Sequence, residues 1–165
     1  MLIFSMKTSL KTGMSFGVTS GVITTLGLLV GLASGSEMRA VVIAGILTIA
    51  IADSFSDALG IHISQESNPK NSHKQVWEST ISTFFTKFLF ACTFILPVIF
   101  FPLFWAVVVS CVWGLFVITL VSYKIAVSQN KKPRHSVFEH VMITVVVIAL
   151  TYITGLGINK LFVAN

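Results

Sequence analysis

Five stretches of about 20 residues, each nearly free of charge and long enough to cross a bilayer as helix, leave this chain few ways to fold. They cover residues 15–33, 40–63, 80–100, 103–127 and 137–161. Inside hydrocarbon every backbone N–H and C=O must be satisfied within the structure, and runs this long do so as helices. The predicted fold is therefore all-α: a single transmembrane domain over 1–165, integral and multi-pass, with the lipid bilayer as its main partner. Charged residues make up 10% of the chain, whereas a soluble domain carries about 25%. Hydrophobic residues reach 55% and the mean hydropathy is +0.91. Lys7 and Lys11 precede the first run in the manner of a signal peptide, but that run is too long for a signal core and reads as a retained helix.

The basic residues are sorted by loop. With five spans, Lys7, Lys11, Lys70, Lys74, Lys124, Lys131, Lys132 and Arg134 fall on one side, and Arg39 and Lys160 on the other. Lys87 lies inside the third run, near its start. This asymmetry predicts a cytoplasmic N-terminus and a C-terminus on the opposite side. It also explains the net charge of +5 without a nucleic-acid partner, because no basic patch is interleaved with aromatics. Residues 64–79 form the one long hydrophilic stretch and read as a cytoplasmic linker. Pro97 and Pro102 mark a tight turn before the fourth span. Cys92 and Cys111 sit in apolar runs and read as small buried hydrophobes.

Two features carry chemistry. In the first helix, Gly17 and Gly21 form one GxxxG, and Gly27, Gly31 and Gly35 form two more. Such stripes let another helix come close, either within the chain or across a dimer seam. In the second helix, Asp53 and Asp57 stand one turn apart on one face. An ionised Asp at the centre of a spanning helix costs ~2.5–3.5 kcal/mol, so the pair is expected to face protein or a wet passage and not lipid. Ser56, Gly60 and Ser64 continue the same polar face. Hard oxygen ligands of this kind suit Mn²⁺, Fe²⁺ or Mg²⁺. Two close carboxylates in a low dielectric also resist ionising together, which suits the pair to holding a proton. The alternative is a static contact in which the acids pair with Lys87 or with hydroxyls. Near the cytoplasmic ends, His62, Glu66, Glu78, Glu139 and His140 offer mixed carboxylate and imidazole ligands for an intake site. Ordinary interfacial polarity also accounts for them, and Glu139 gains from its place at a helix N-terminus.

The segments FGVTSGVITTLGLLVGL (Phe16 to Leu32) and AGILTIAIADSFSDALGIHIS (Ala44 to Ser64) resemble the first two helices of the vacuolar iron transporter family. The likeness is weaker from the third helix onward. It implies transport of Fe²⁺ or Mn²⁺ out of the cytosol in exchange for protons, by a homodimer with its pathway at the subunit interface. Ser20 takes the place of an Asp of that family's first helix and joins Lys87 among the expected pathway-lining residues. Asp57 aligns with a pathway Met, and Ile61 with a Glu. The family's large acidic cytosolic segment is reduced here to Glu66 through Glu78. The expected function is a proton-coupled metal exporter with no tightly bound cofactor. The alternative is a non-transporting assembly or regulatory subunit that dimerises through the glycine helix. No enzyme is expected. An intramembrane aspartyl protease needs two Asp residues facing each other from different helices, and no Walker A sequence offers direct ATP drive.

Overall fold

A computed structural model describes residues 7–163 and shows a bundle of α-helices with no strand among them. Its elements are α1 (Thr8–Ser36), α2 (Arg39–Glu66), α3 (His73–Thr93), α4 (Ile95–Phe100), α5 (Leu103–Ser128) and α6 (Pro133–Ile158). A π-helical turn, Asn159–Val163, follows. Counting α3 and α4 as one, five helices are long and apolar enough to cross a membrane. At 1.5 Å per residue, 26 to 30 residues span more than the ~30 Å hydrocarbon core, so the helix ends stand in the headgroup layers. The outer faces are apolar, with Phe100, Phe104 and Phe138 all well over half exposed. Water does not tolerate such a surface but lipid does.

The third span differs from the expectation at both ends. Most of the stretch predicted as linker is helix, and only 67–72 lies outside α2 and α3. Ser72 and Gln75 form a reciprocal capping box that starts α3 at His73. Such a box satisfies two of the amide groups that a helix start leaves open. At the far end Pro97 has no N–H to donate to the Thr93 carbonyl. The helix breaks at Phe94, whose own N–H turns back to the Ala91 carbonyl at 3.2 Å. Pro97 then lies in the first turn of α4, and the reversal itself comes at Phe101 and Pro102.

α1 is the hub. It packs against α2, α3, α5 and α6 and is the most buried of the five spans, while α6 is the least. Its core face carries Val22, Leu26, Leu29 and Val30, packed with Ile46, Phe94 and Ile118. The two ends of the bundle are tied separately. At one end Lys7 pairs with Glu78 at 3.0 Å. At the other, Arg39 donates to the Phe101 carbonyl at 3.0 Å and Asn159 to the Gly35 carbonyl at 3.1 Å. The eight sorted basic residues thus collect at one end of the bundle and Arg39 and Lys160 at the other.

Candidate functional site

The site begins with how α3 meets α1. The buried stripe of α3 is Val76, Ser79, Thr83, Lys87 and Ala91, at the three- and four-residue steps that keep one helix face. Ser79 Oγ donates to the Ser9 carbonyl at 3.0 Å, and Thr83 Oγ1 to the Gly13 carbonyl at 3.3 Å. Hydroxyls reach a neighbouring backbone only when the helices nearly touch, and the glycines of α1 permit that. A Cβ on Gly17 would stand 2.7 Å from the Thr83 carbonyl oxygen. One on Gly21 would stand 3.0 Å from the Lys87 carbonyl oxygen and 3.2 Å from Lys87 Cγ. Gly21 therefore leaves the room through which the lysine stem passes.

The stem ends among three oxygens. Lys87 Nζ lies 2.5 Å from Asp53 Oδ2 and 3.0 Å from Ser20 Oγ, and it also donates to Asp57 Oδ2. Ser20 Oγ in turn donates to Asp57 Oδ2 at 2.5 Å. The contact with Asp53 is one of charge without hydrogen-bond geometry, since Asp53 Oδ2 is buried and makes no hydrogen bond. The lysine side chain is 1% exposed, while those of Asp53 and Asp57 are 26% and 20% exposed. Asp53 is near the middle of Arg39–Glu66, and Lys87 near the middle of His73–Phe100. Lys87 is thus at mid-span, deeper than its position near the start of the predicted third run had implied. Two carboxylates and one ammonium carry a formal charge of −1. In a low dielectric the group holds together because an unpaired buried charge costs several kcal/mol.

Asp53 opens toward a groove between α1 and α2. It has a volume of 750 Å³ and runs from Asp53 and Ser56 past Thr24, Thr48 and Gly45 toward Leu32 and Val41. In the other direction Ser56, Gly60 and Ser64 remain exposed along α2 toward the lysine-rich end. Polar and small residues thus flank the acids on both sides of mid-span.

The five residues expected to form a cytoplasmic ligand cluster are not brought together. His62 Nδ1 pairs with Thr80 Oγ1 at 2.9 Å, and its ring stands edge-on to Trp77. Glu66 is the exposed last residue of α2. Glu78 accepts from Lys7 at 3.0 Å and from Ser9 at 2.5 Å. Glu139 meets His135 at 3.3 Å on the surface, and His140 Nδ1 pairs with Ser122 Oγ at 2.7 Å. Among the described residues no group of three or more His, Cys, Asp and Glu side chains converges as a metal site. His62, Glu78 and His140 each found a nearer partner across a helix contact, which pairs at i, i+4 in one helix do not reveal.

The glycines divide between two neighbours. Gly17 and Gly21 face α3, whereas Gly27, Gly31 and Gly35 face Val147, Thr151 and Gly155 of α6. The close approach that they permit is used within the chain. Gly13 extends the first stripe by one turn, against Ser79 and Ser82. It lies four residues before Gly17, a signal the sequence carries but which falls outside a span begun at Ser15. Thr83 and Gly155 are further contact residues with no such signal.

Comparison with known proteins gives one family. The model of the VIT family matches residues 58–156, more than half of the chain. The match takes in the end of α2, all of α3 to α5 and most of α6. It lies C-terminal to Asp53 and Asp57 and to most of the two segments that carry the resemblance in the sequence. No curated protein matches the chain.

Proposed function

The chain belongs to the VIT family, and from that premise we propose that it carries Fe²⁺ or Mn²⁺ across a membrane by way of Asp53 and Asp57. Members of the family are metal-ion transporters, not enzymes. The observation that carries the finer reading is the pair of half-buried carboxylates at mid-span, which share a lysine, with Asp53 opening onto a groove that also carries Thr24, Thr48 and Ser56. Carboxylate and hydroxyl oxygens from Asp53, Asp57, Ser20 and Ser56 are the donors that Mn²⁺ and Fe²⁺ accept. Lys87 holds the carboxylates together between ions. An arriving cation takes the place of the ammonium between the two acids, and Lys87 gives up its proton to the side the ion came from, so that a group of charge −1 becomes a neutral one. When the ion leaves toward the far side, Lys87 takes a proton from that side and returns to the freed oxygens, so that one proton moves inward for each ion exported and the exchange couples export to a proton gradient.

Two copies of the chain complete the passage in this reading. The groove along α1 and α2 carries Thr24, Thr48, Asp53 and Ser56, which lipid would solvate poorly. A second subunit set against that face would enclose it. The sorting of Lys and Arg supports a cytoplasmic position for the lysine-rich end, and in this reading export runs from Ser64 toward Leu32.

A second reading keeps the same cluster as a finished contact. Lys87 pairs with both acids in charge, which is also what a non-transporting assembly subunit would need to hold α1, α2 and α3 together. Flux separates the two. In proteoliposomes of the parent protein with a pH gradient, Mn²⁺ uptake is expected, and Asp53→Asn or Asp57→Asn is expected to lower it at least about tenfold, a loss that even outer-shell changes at metal sites reach. Unchanged flux in both variants would remove the acids from the pathway. No flux from folded, correctly oriented parent protein would favour the second reading.

A further inference from the structure

We propose that the cleft between α1 and α5, at the lysine-rich end of the bundle, binds the phosphate-bearing headgroup of an anionic lipid. The cleft has a volume of 540 Å³, within the ~300–1,000 Å³ range of pockets that hold small ligands. It shares no residue with the groove at Asp53 or with the Lys87 cluster, so the proposal stands apart from the transport reading.

Its lining is graded with depth. α1 enters the bundle from this end and α5 leaves at it, so low numbers on α1 and high numbers on α5 lie at the mouth. There stand Lys11 and Lys124, with the hydroxyls of Thr8, Thr12 and Ser128. Further in, the walls turn apolar with Val18 and Val121. No carboxylate is among the lining residues. Glu78, the acid nearest the start of α1, is held by Lys7 and Ser9 on the α3 side. Lys131, Lys132 and Arg134, in and beside the turn after α5, add to the positive potential at this end.

Each part of that gradient matches one part of a phospholipid. Ammonium groups and hydroxyls bind phosphate oxygens by charge-assisted hydrogen bonds. Basic pockets between spanning helices select anionic headgroups, because a zwitterionic lipid gains much less from the same charges. The apolar floor suits the first methylenes of an acyl chain, which a free phosphate does not have. Lys124 lies one turn inside α5 and can lay its stem along the wall while the ammonium stays at headgroup level.

The test uses the full chain purified in neutral detergent and titrated with short-chain phosphatidylglycerol, phosphatidylcholine or inorganic phosphate. Native mass spectrometry reads retained lipid, and thermal unfolding reads protection. Saturable retention of phosphatidylglycerol over phosphatidylcholine is expected, with a raised unfolding midpoint. Lys11→Gln and Lys124→Gln are each expected to weaken it about fivefold, as one basic residue near an anionic surface contributes. Lys131→Gln, outside the cleft lining, is expected to weaken it less than either. The Lys11→Arg, Lys124→Arg double variant keeps the charge and is expected to keep the lipid, which separates loss of binding from loss of fold. Equal retention of the two lipids, or undiminished retention by the double Gln variant, overturns the site. Protection by inorganic phosphate without retained lipid overturns the lipid assignment and leaves a free-anion site.

Discussion

At mid-membrane an ammonium group is costly unless oxygens surround it, and Lys87 has three around it from α1 and α2. Its removal separates the two readings of the site. Lys87→Met leaves Asp53 and Asp57 facing each other without a counter-charge, and breaking a buried pair in this way costs about 3–5 kcal/mol. If the acids are metal ligands, Mn²⁺ is expected to restore the lost thermal stability, and to protect the variant more than the parent. Equal and negligible protection of both proteins would mark the cluster as a static contact. The two acids and Ser56 are legible from the sequence because charge is rare in apolar runs and period 3.6 puts them on one face. The position of Ser20 at the same centre came from the family resemblance. The depth of Lys87 was hidden because it depends on where α3 starts, which the Ser72–Gln75 cap decides. The scatter of His62, Glu78 and His140 among separate partners was hidden too, since it depends on which helices touch.

At the scale of the element, α1 is held by backbone contact. Its first half leans on α3 through Gly13, Gly17 and Gly21, and its second half on α6 through Gly27, Gly31 and Gly35. Gly17→Leu would drive a side chain into the main chain of α3, which cannot turn aside as a flexible side chain can. Overpacking of this kind costs about 1–3 kcal/mol, and more where backbone must shift. Gly157→Ala is the matched control, because nothing within 4 Å would meet its Cβ. That substitution is expected to be neutral or to stabilise by up to ~1 kcal/mol through helix propensity. Unfolding of the two variants in detergent should therefore move in opposite directions, and a similar loss in both would argue against the seam. Five long helices were legible as five apolar runs. The break at Phe94 was less so, because Pro97 announces a disturbance without saying that it falls before the turn and not in it.

For the whole molecule, the groove along α1 and α2 is where a second copy is proposed to sit. Cysteine introduced at Thr48, in a background with Cys92 and Cys111 replaced by Ala, is expected to cross-link two subunits in the membrane. Cysteine at Val146, on the exposed face of α6, is not. Cross-linking at Val146 and none at Thr48 would place the partner elsewhere. The arrangement of neighbours around α1 was not legible, because five apolar helices of similar length can pack in several orders and only the close contacts select one. That selection has an effect on ion competition. A lysine joined to the chain meets its carboxylates at a fixed effective concentration, set by the length of its own side chain and independent of the surrounding solution. An ion arriving from water therefore contends with a rival that dilution cannot remove, so weak binders are turned away and the two acids need never stand bare at mid-membrane.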